Sequence, residues 1–247
     1  MEVFSLPDSI LLSFIAAYKA KKINGSLTTL YGSGCLAGIC ISLGTIAAYT
    51  VGFLLRGLPF ERIAMAAAFA VALSLVVHTG SDLFTGNILT MCCGLNNKST
   101  TYKQTAWIWL CCWIFNFMGS VLTAGTFLAT GLVSEEFAQY LADIAIIKTS
   151  ATPFELLLRG ILCNLLVCLA ILCAAKAKSE SGKLIMAFWC VFAFFVSGFE
   201  HSIANMTLFA LVPSGIYEFL YNLIPVTIGN IIGGWALAAI LHCKDSG

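Results

Sequence analysis

Residues 198–206 read GFEHSIANM, and residues 80–87 read GSDLFTGN. Each stretch interrupts a long apolar segment, and each carries a carboxylate: Glu200 beside His201 in the later one, Asp82 in the earlier. An ionisable side chain in mid-segment is expensive to bury, so two such interruptions govern how the rest of the chain is read. The later one has Gly198, an acid two residues on and Asn205. The earlier one has Gly80, Asp82 and Asn87 at the same offsets, 118 residues upstream. The same shift carries the apolar segment at about 105–132 onto the last apolar segment. The chain reads as a duplicated three-span unit, with repeat halves at about 28–132 and 153–242. An odd number of spans per unit turns the second copy over, which gives an inverted repeat of the kind found in transport proteins.

Composition agrees. Hydrophobic residues make up 60% of the 247 and charged residues only 10%, where a soluble domain carries roughly a quarter charged. The expected class is an all-α membrane protein with six transmembrane helices, an inverted 3+3 repeat with two broken helices, and an N-terminal amphipathic helix. Net charge is +1, which gives no ground for a nucleic-acid partner. Eleven cysteines are present, most of them inside apolar runs (Cys35, Cys40, Cys111, Cys112, Cys163, Cys168, Cys173, Cys190), and none forms a C-x-x-C pair. They read as small buried thiols in a reducing cell, with neither disulfides nor a metal.

The spans are expected at about Thr28–Leu55, Ile63–Thr79 resuming after the break to Leu95, Thr105–Leu132, Phe154–Ala175, Leu184–Val212 through the second break, and Tyr221–Leu241. They make one channel domain over 28–243. Residues 1–27 precede it as a separate segment. Ser5-Leu6-Pro7-Asp8 has the form of a helix N-terminus. Leu6, Ile10, Leu11, Phe14, Ile15 and Tyr18 then give one apolar face, closed by Lys19, Lys21 and Lys22. Such a helix suits the membrane interface; packing on the bundle is the alternative. Acidic residues at the start and late lysines do not fit a signal peptide. On one side of the spans lie nine lysines: Lys19, Lys21, Lys22, Lys98, Lys103, Lys176, Lys178, Lys183 and Lys244. The other side has Arg56, Arg62 and Lys148. The bias puts both termini in the cytoplasm.

Non-helical backbone at membrane depth is tolerated where it lines a water-filled path. Each break also exposes a helix N-terminus, which favours an anion. His201 is the sharpest candidate for handling such an anion, because it can donate a hydrogen bond or a proton. Glu200 and Asp82 read as structural, tying loop N–H groups, and Asn87 and Asn205 as caps of the resumed half-helices. Lys148 is either an interfacial lysine or an attractor of anions. Asn116 and Asn164 should face the bundle interior, and His78 is a second titrating candidate. Gly34 and Gly38, like Gly229 and Gly233, permit close helix packing within or between protomers.

Asp82-Leu83-Phe84-Thr85-Gly86-Asn87 and Phe199-Glu200-His201-Ser202-Ile203-Ala204-Asn205-Met206 resemble the two signature breaks of the formate/nitrite transporter family. The resemblance runs over essentially the whole chain and is nearest to the hydrosulfide-channel branch. It implies an aquaporin-like fold, a pore in each protomer and a homopentamer in the inner membrane. It implies that His201 is the central pore histidine, that Asn164 hydrogen-bonds to it, and that Lys148 raises the positive potential near it. It assigns Leu73, Leu83 and Phe84 to the cytoplasmic constriction and Phe69 and Phe194 to the periplasmic one, with Thr85 reaching toward the histidine. The family mostly carries glutamate where this chain has Asp82.

The function implied is a selective channel or transporter for small monoanions of weak acids: hydrosulfide first, formate or nitrite next. It is not an enzyme, and no cofactor is expected. A water or glycerol channel is the nearest rival, but neither break contains the Asn-Pro-Ala of such channels. A haem protein would need paired histidines on facing helices.

Overall fold

A computed structural model describes residues 6–25, 27–213 and 215–245, with the backbone alone at 22–25. Ser5, the expected N-cap, and the Lys22 side chain lie outside what is described. The described residues form helices throughout: α1 (Asp8–Gly25), α2 (Leu27–Leu54), α3 (Glu61–Phe69), α4 (Val71–Thr79), α5 (Phe84–Asn96), α6 (Tyr102–Ala129), α7 (Glu135–Ser150), α8 (Pro153–Lys176), α9 (Glu180–Ser197), α10 (Ser202–Leu211) and α11 (Ile216–Asp245). Six helical stretches are long and apolar enough to cross a bilayer: α2, α3 with α4, α6, α8, α9 and α11. The protein is a multi-pass membrane protein. Its outer surface carries exposed Leu43, Ile114, Leu122, Trp189 and Trp235; a water-soluble surface would bury such residues.

Helix starts follow local chemistry. Thr101 with Gln104 and Thr152 with Glu155 form capping boxes at α6 and α8, the latter with Pro153 in the first turn. Both breaks begin at a glycine in the left-handed region, Gly80 (φ 64°) and Gly198 (φ 77°), which other L-residues adopt at a cost.

Two helix pairs set the frame. α2 packs on α6 so closely that a Cβ on Gly38 would run into the Asn116 backbone, and one on Gly119 into the Cys35 carbonyl. α8 packs on α11 in the same manner through Gly160, Gly229 and Gly233. The small residues therefore serve contacts within the protomer.

The sequence reading gives only a connector between the third and fourth spans. The structure has a helix there, α7, capped by Ser134 and burying Phe137, Tyr140, Leu141 and Ala145. Helix α1 is packed on the bundle. Leu12 and Ala16 are fully buried, Ser9 N–H donates to Asp245 Oδ2 (2.7 Å), and Asp8 takes bonds from Lys176 (2.5 Å) and Lys244 (2.8 Å). The described ends of the chain thus meet on one face.

Candidate functional site

The two breaks make the same bonds. Asn116 Oδ1 accepts from Phe84 N–H (2.9 Å), while its Nδ2 donates to the Gly34 (2.8 Å) and Asp82 (3.0 Å) carbonyls. Asn230 Oδ1 accepts from Ser202 N–H (3.0 Å), and its Nδ2 donates to the Gly160 (2.8 Å) and Glu200 (3.0 Å) carbonyls. Phe84 and Ser202 stand 118 residues apart, as Asp82 and Glu200 do. One amide from a neighbouring helix thus satisfies two backbone groups that each break removes from the helical ladder, as groups buried away from water require, and ties them to a carbonyl of α2 or α8.

The carboxylates are treated alike as well. Lys19 of α1 donates to Asp82 Oδ1 (2.6 Å) and Asn87 Oδ1 (2.6 Å), and Asn87 Nδ2 donates to Asp82 Oδ1 (3.2 Å). Lys148 of α7 donates to Glu200 Oε2 (2.7 Å), and Asn205 Nδ2 donates to the same oxygen (2.7 Å). Glu200 is 5% exposed and Lys148 18%, so each buried carboxylate carries its own countercharge.

Between the breaks stands His201, 3% exposed. Its Nδ1 accepts the Ala204 N–H (3.2 Å), so the ring is the N-cap of α10. A nitrogen that accepts a backbone N–H carries no proton of its own, so the neutral ring holds its proton on Nε2. Nε2 lies 3.0 Å from Thr85 Oγ1, in the first turn of α5. The two breaks thereby meet in a side-chain hydrogen bond. On one flank the ring stacks on Phe194 (6.0 Å between centroids, 15°), which meets Phe69 edge-on (5.8 Å). Leu83 and Phe84 are buried at the first break, and Leu73 is buried in α4 ahead of it. Below that break a cavity of about 350 Å³ is lined by Tyr18, Lys19, Asp82, Leu83, Asn87 and Lys183, among others. Helix α1 forms part of its wall.

A family model described as "Formate/nitrite transporter" matches residues 10–243. The chain belongs to the formate/nitrite transporter family. The nitrite transporter NirC of Escherichia coli (strain K12) is 38% identical over 211 residues, covering 82% of this chain and 78% of NirC. A solved "FNT family ion channel" superposes with a TM-score of 0.89 at 31% identity, covering 96% of this chain and 98% of that one. A "Pentameric formate channel with formate bound" gives 0.78 at 25% identity, covering 88% and 96%. These formate/nitrite transporter relatives are transporters and channels, not enzymes.

Several expectations are corrected. Asn164 does not bond to His201, whose two nitrogens are taken by Ala204 and Thr85. Its Nδ2 donates instead to the Asn230 (2.6 Å) and Thr85 (3.3 Å) carbonyls. Asn87 and Asn205 cap nothing; they hold the carboxylates. The carboxylates do not tie the loop N–H groups: Phe84 and Ser202 N–H go to Asn116 and Asn230, Asp82 N–H to Ser33 Oγ (2.9 Å) and Glu200 N–H to the Arg159 carbonyl (3.2 Å). His78 is exposed, 3.9 Å from Glu180 and outside the central site. The reading missed Lys19, Asn230 and Asn222, the last of which accepts from Asn205 Nδ2 (2.7 Å). The signal was present for two of them, as asparagines inside the apolar run of the last span.

Proposed function

We propose that this chain is a selective channel for small monoanions of weak acids, with the plane of His201 and Thr85 as the point every permeant crosses. One observation carries the reading: the two breaks bring His201 Nε2 to 3.0 Å from Thr85 Oγ1, with both side chains buried. Nε2–H donates to Thr85, which leaves the threonine hydroxyl proton free for an anion. A hydrogen bond from that hydroxyl is worth most where water is excluded. Because Nδ1 is occupied, the neutral ring works as a hydrogen-bond donor, and the proton that discharges the anion comes from vestibule water. The neutral acid then crosses the slit without most of the desolvation cost of an ion.

Hydrosulfide suits the narrow apolar slit best, since it is small and its acid hydrogen-bonds weakly. Nitrite has the support of NirC, 38% identical. Formate has the support of the solved channel that holds it. The repeated bonds of the breaks support two inverted copies, and the pentameric neighbour supports five protomers, each with its own path. In this reading the lysine-rich face, on which both described ends of the chain lie, faces the cytoplasm from an inner membrane.

The test is uptake of hydrosulfide, nitrite, formate and glycerol by liposomes carrying the purified protein, across a pH series. Anion uptake above empty liposomes, with glycerol excluded, is the expected result, and the rank order names the substrate. H201F removes the donor that turns the Thr85 hydroxyl proton toward the anion, and it should lower anion flux by about tenfold, the worth of that hydroxyl's hydrogen bond to a charged group. Glycerol uptake without anion uptake, or wild-type flux and pH dependence in H201F, overturns the reading.

A further inference from the structure

The sequence reading offers Lys148 as the cation that attracts the anion, yet Glu200 neutralises it at 2.7 Å. Lys19 is neutralised by Asp82 in the same way at 2.6 Å. The lysine that lines the α1-side vestibule, Lys183, is paired with Glu180 at 2.7 Å. A channel for anions built this way needs free positive charge from some other residue at its mouths.

At the mouth on the Lys148 side such a charge exists. Arg62, in the first turn of α3, is exposed, and its guanidinium lies directly over Gly198, where the second break begins. The guanidinium carbon is 3.3 Å from the place a Cβ on Gly198 would occupy. Only glycine leaves room for it. Two residues further on stands Glu200, and three further on His201. Among the described residues no carboxylate lies within 4.0 Å of Arg62. Two charges close to it in sequence are engaged elsewhere: Glu61 accepts from Tyr140 (2.8 Å) and from Gly57 N–H (2.9 Å), and Arg56 pairs with Asp143 (3.2 Å). Nor is Arg62 spent on capping α9. The Phe194 and Phe195 carbonyls at that helix end already accept from Phe199 and Gly198 N–H, both at 3.0 Å.

We propose that Arg62 is the residue that draws the anion into this mouth and delivers it to the second break. The inference rests on the anion-channel reading above. A fixed charge at the rim of a low-dielectric path raises the local concentration of counter-ions and the rate of capture, and salt screens the effect. Lys148, in contrast, holds the break in shape.

The experiment measures initial uptake of nitrite, formate and hydrosulfide at subsaturating concentration, with the orientation of the protein in the liposomes fixed by protease access to a terminal tag. R62Q should slow uptake from the Arg62 face about threefold at low ionic strength, the effect of one unit charge at about 7 Å in water. The deficit should vanish near 1 M salt, where the Debye length is about 3 Å. Uptake from the opposite face should be unchanged, and R62K should stay near wild type. Three results overturn the proposal: R62Q equal to wild type at low salt, a loss equal from both faces and indifferent to salt, or R62K losing as much as R62Q. If the wild-type protein carries none of the anions, the anion-channel reading falls and this inference with it. If it carries them and R62Q matches it, only the role of Arg62 falls.

Discussion

Lys148→Met should damage the protein through Glu200 and not through lost anion attraction. At 2.7 Å and an effective dielectric constant of about 20, the attraction between the two charges is about 6 kcal/mol. Removing one partner of a buried pair costs about 3–5 kcal/mol net, because the survivor stays desolvated and unpaired. Glu200 is that survivor, 5% exposed, with Asn205 Nδ2 as its remaining side-chain donor. Removing both charges in K148M/E200Q takes away the desolvation cost together with the attraction, so the double variant should return to within about 1–2 kcal/mol of wild type. Glutamine still accepts from Asn205. The assay is thermal loss of the monodisperse peak in detergent, paired with flux in liposomes. K148M should lose on the order of 10 °C, and the double variant should recover most of it. It should also conduct anions within about threefold of wild type, the range in which one screened charge acts. A K148M protein as stable as wild type, or a double variant no better than K148M, refutes the countercharge argument. A stable double variant that conducts no anion returns Lys148 to the pathway as a charge.

Asn116→Ala and Asn230→Ala should destabilise by similar amounts, about 2–4 kcal/mol each, since each leaves two buried backbone groups of a break unpaired at about 1–2 kcal/mol apiece; the same melting assay checks this, and one neutral variant of the pair would break the equivalence of the two breaks. Burial would raise the Asp8 carboxyl, but hydrogen bonds and charge from Lys176 and Lys244 outweigh it and hold it below the usual 3.8. A depressed acid contributes stability that is full above its unfolded value and is lost as pH falls through its folded value. Helix α1 should therefore stay docked at pH 5 and loosen only below about pH 4, seen as protease cleavage within α1; K176M/K244M should move that loosening to higher pH, and cleavage independent of both would count against the ion-pair clasp.

Hydropathy and spacing alone determined the six spans, the two interruptions and the central place of His201. These are properties of a one-dimensional pattern. A bilayer demands long apolar runs, and glycine, acid and asparagine inside such a run mark where the helix stops. The matching offsets at 80, 82 and 87 and at 198, 200 and 205 made the two breaks legible as counterparts without coordinates. Which groups neutralise which was not legible. Lys19 meets Asp82 across 63 residues and Lys148 meets Glu200 across 52, and no rule of local spacing links them. Helix α7 was missed because its buried face, Phe137, Tyr140, Leu141 and Ala145, is short and interleaved with charge, and so weak as a hydropathy signal. The His201 tautomer, the three-bond roles of Asn116 and Asn230 and the seat of Arg62 over Gly198 were decided only when the helices packed. A buried hydrogen bond depends on approach to within about 3 Å from a set direction, and only the folded chain specifies that.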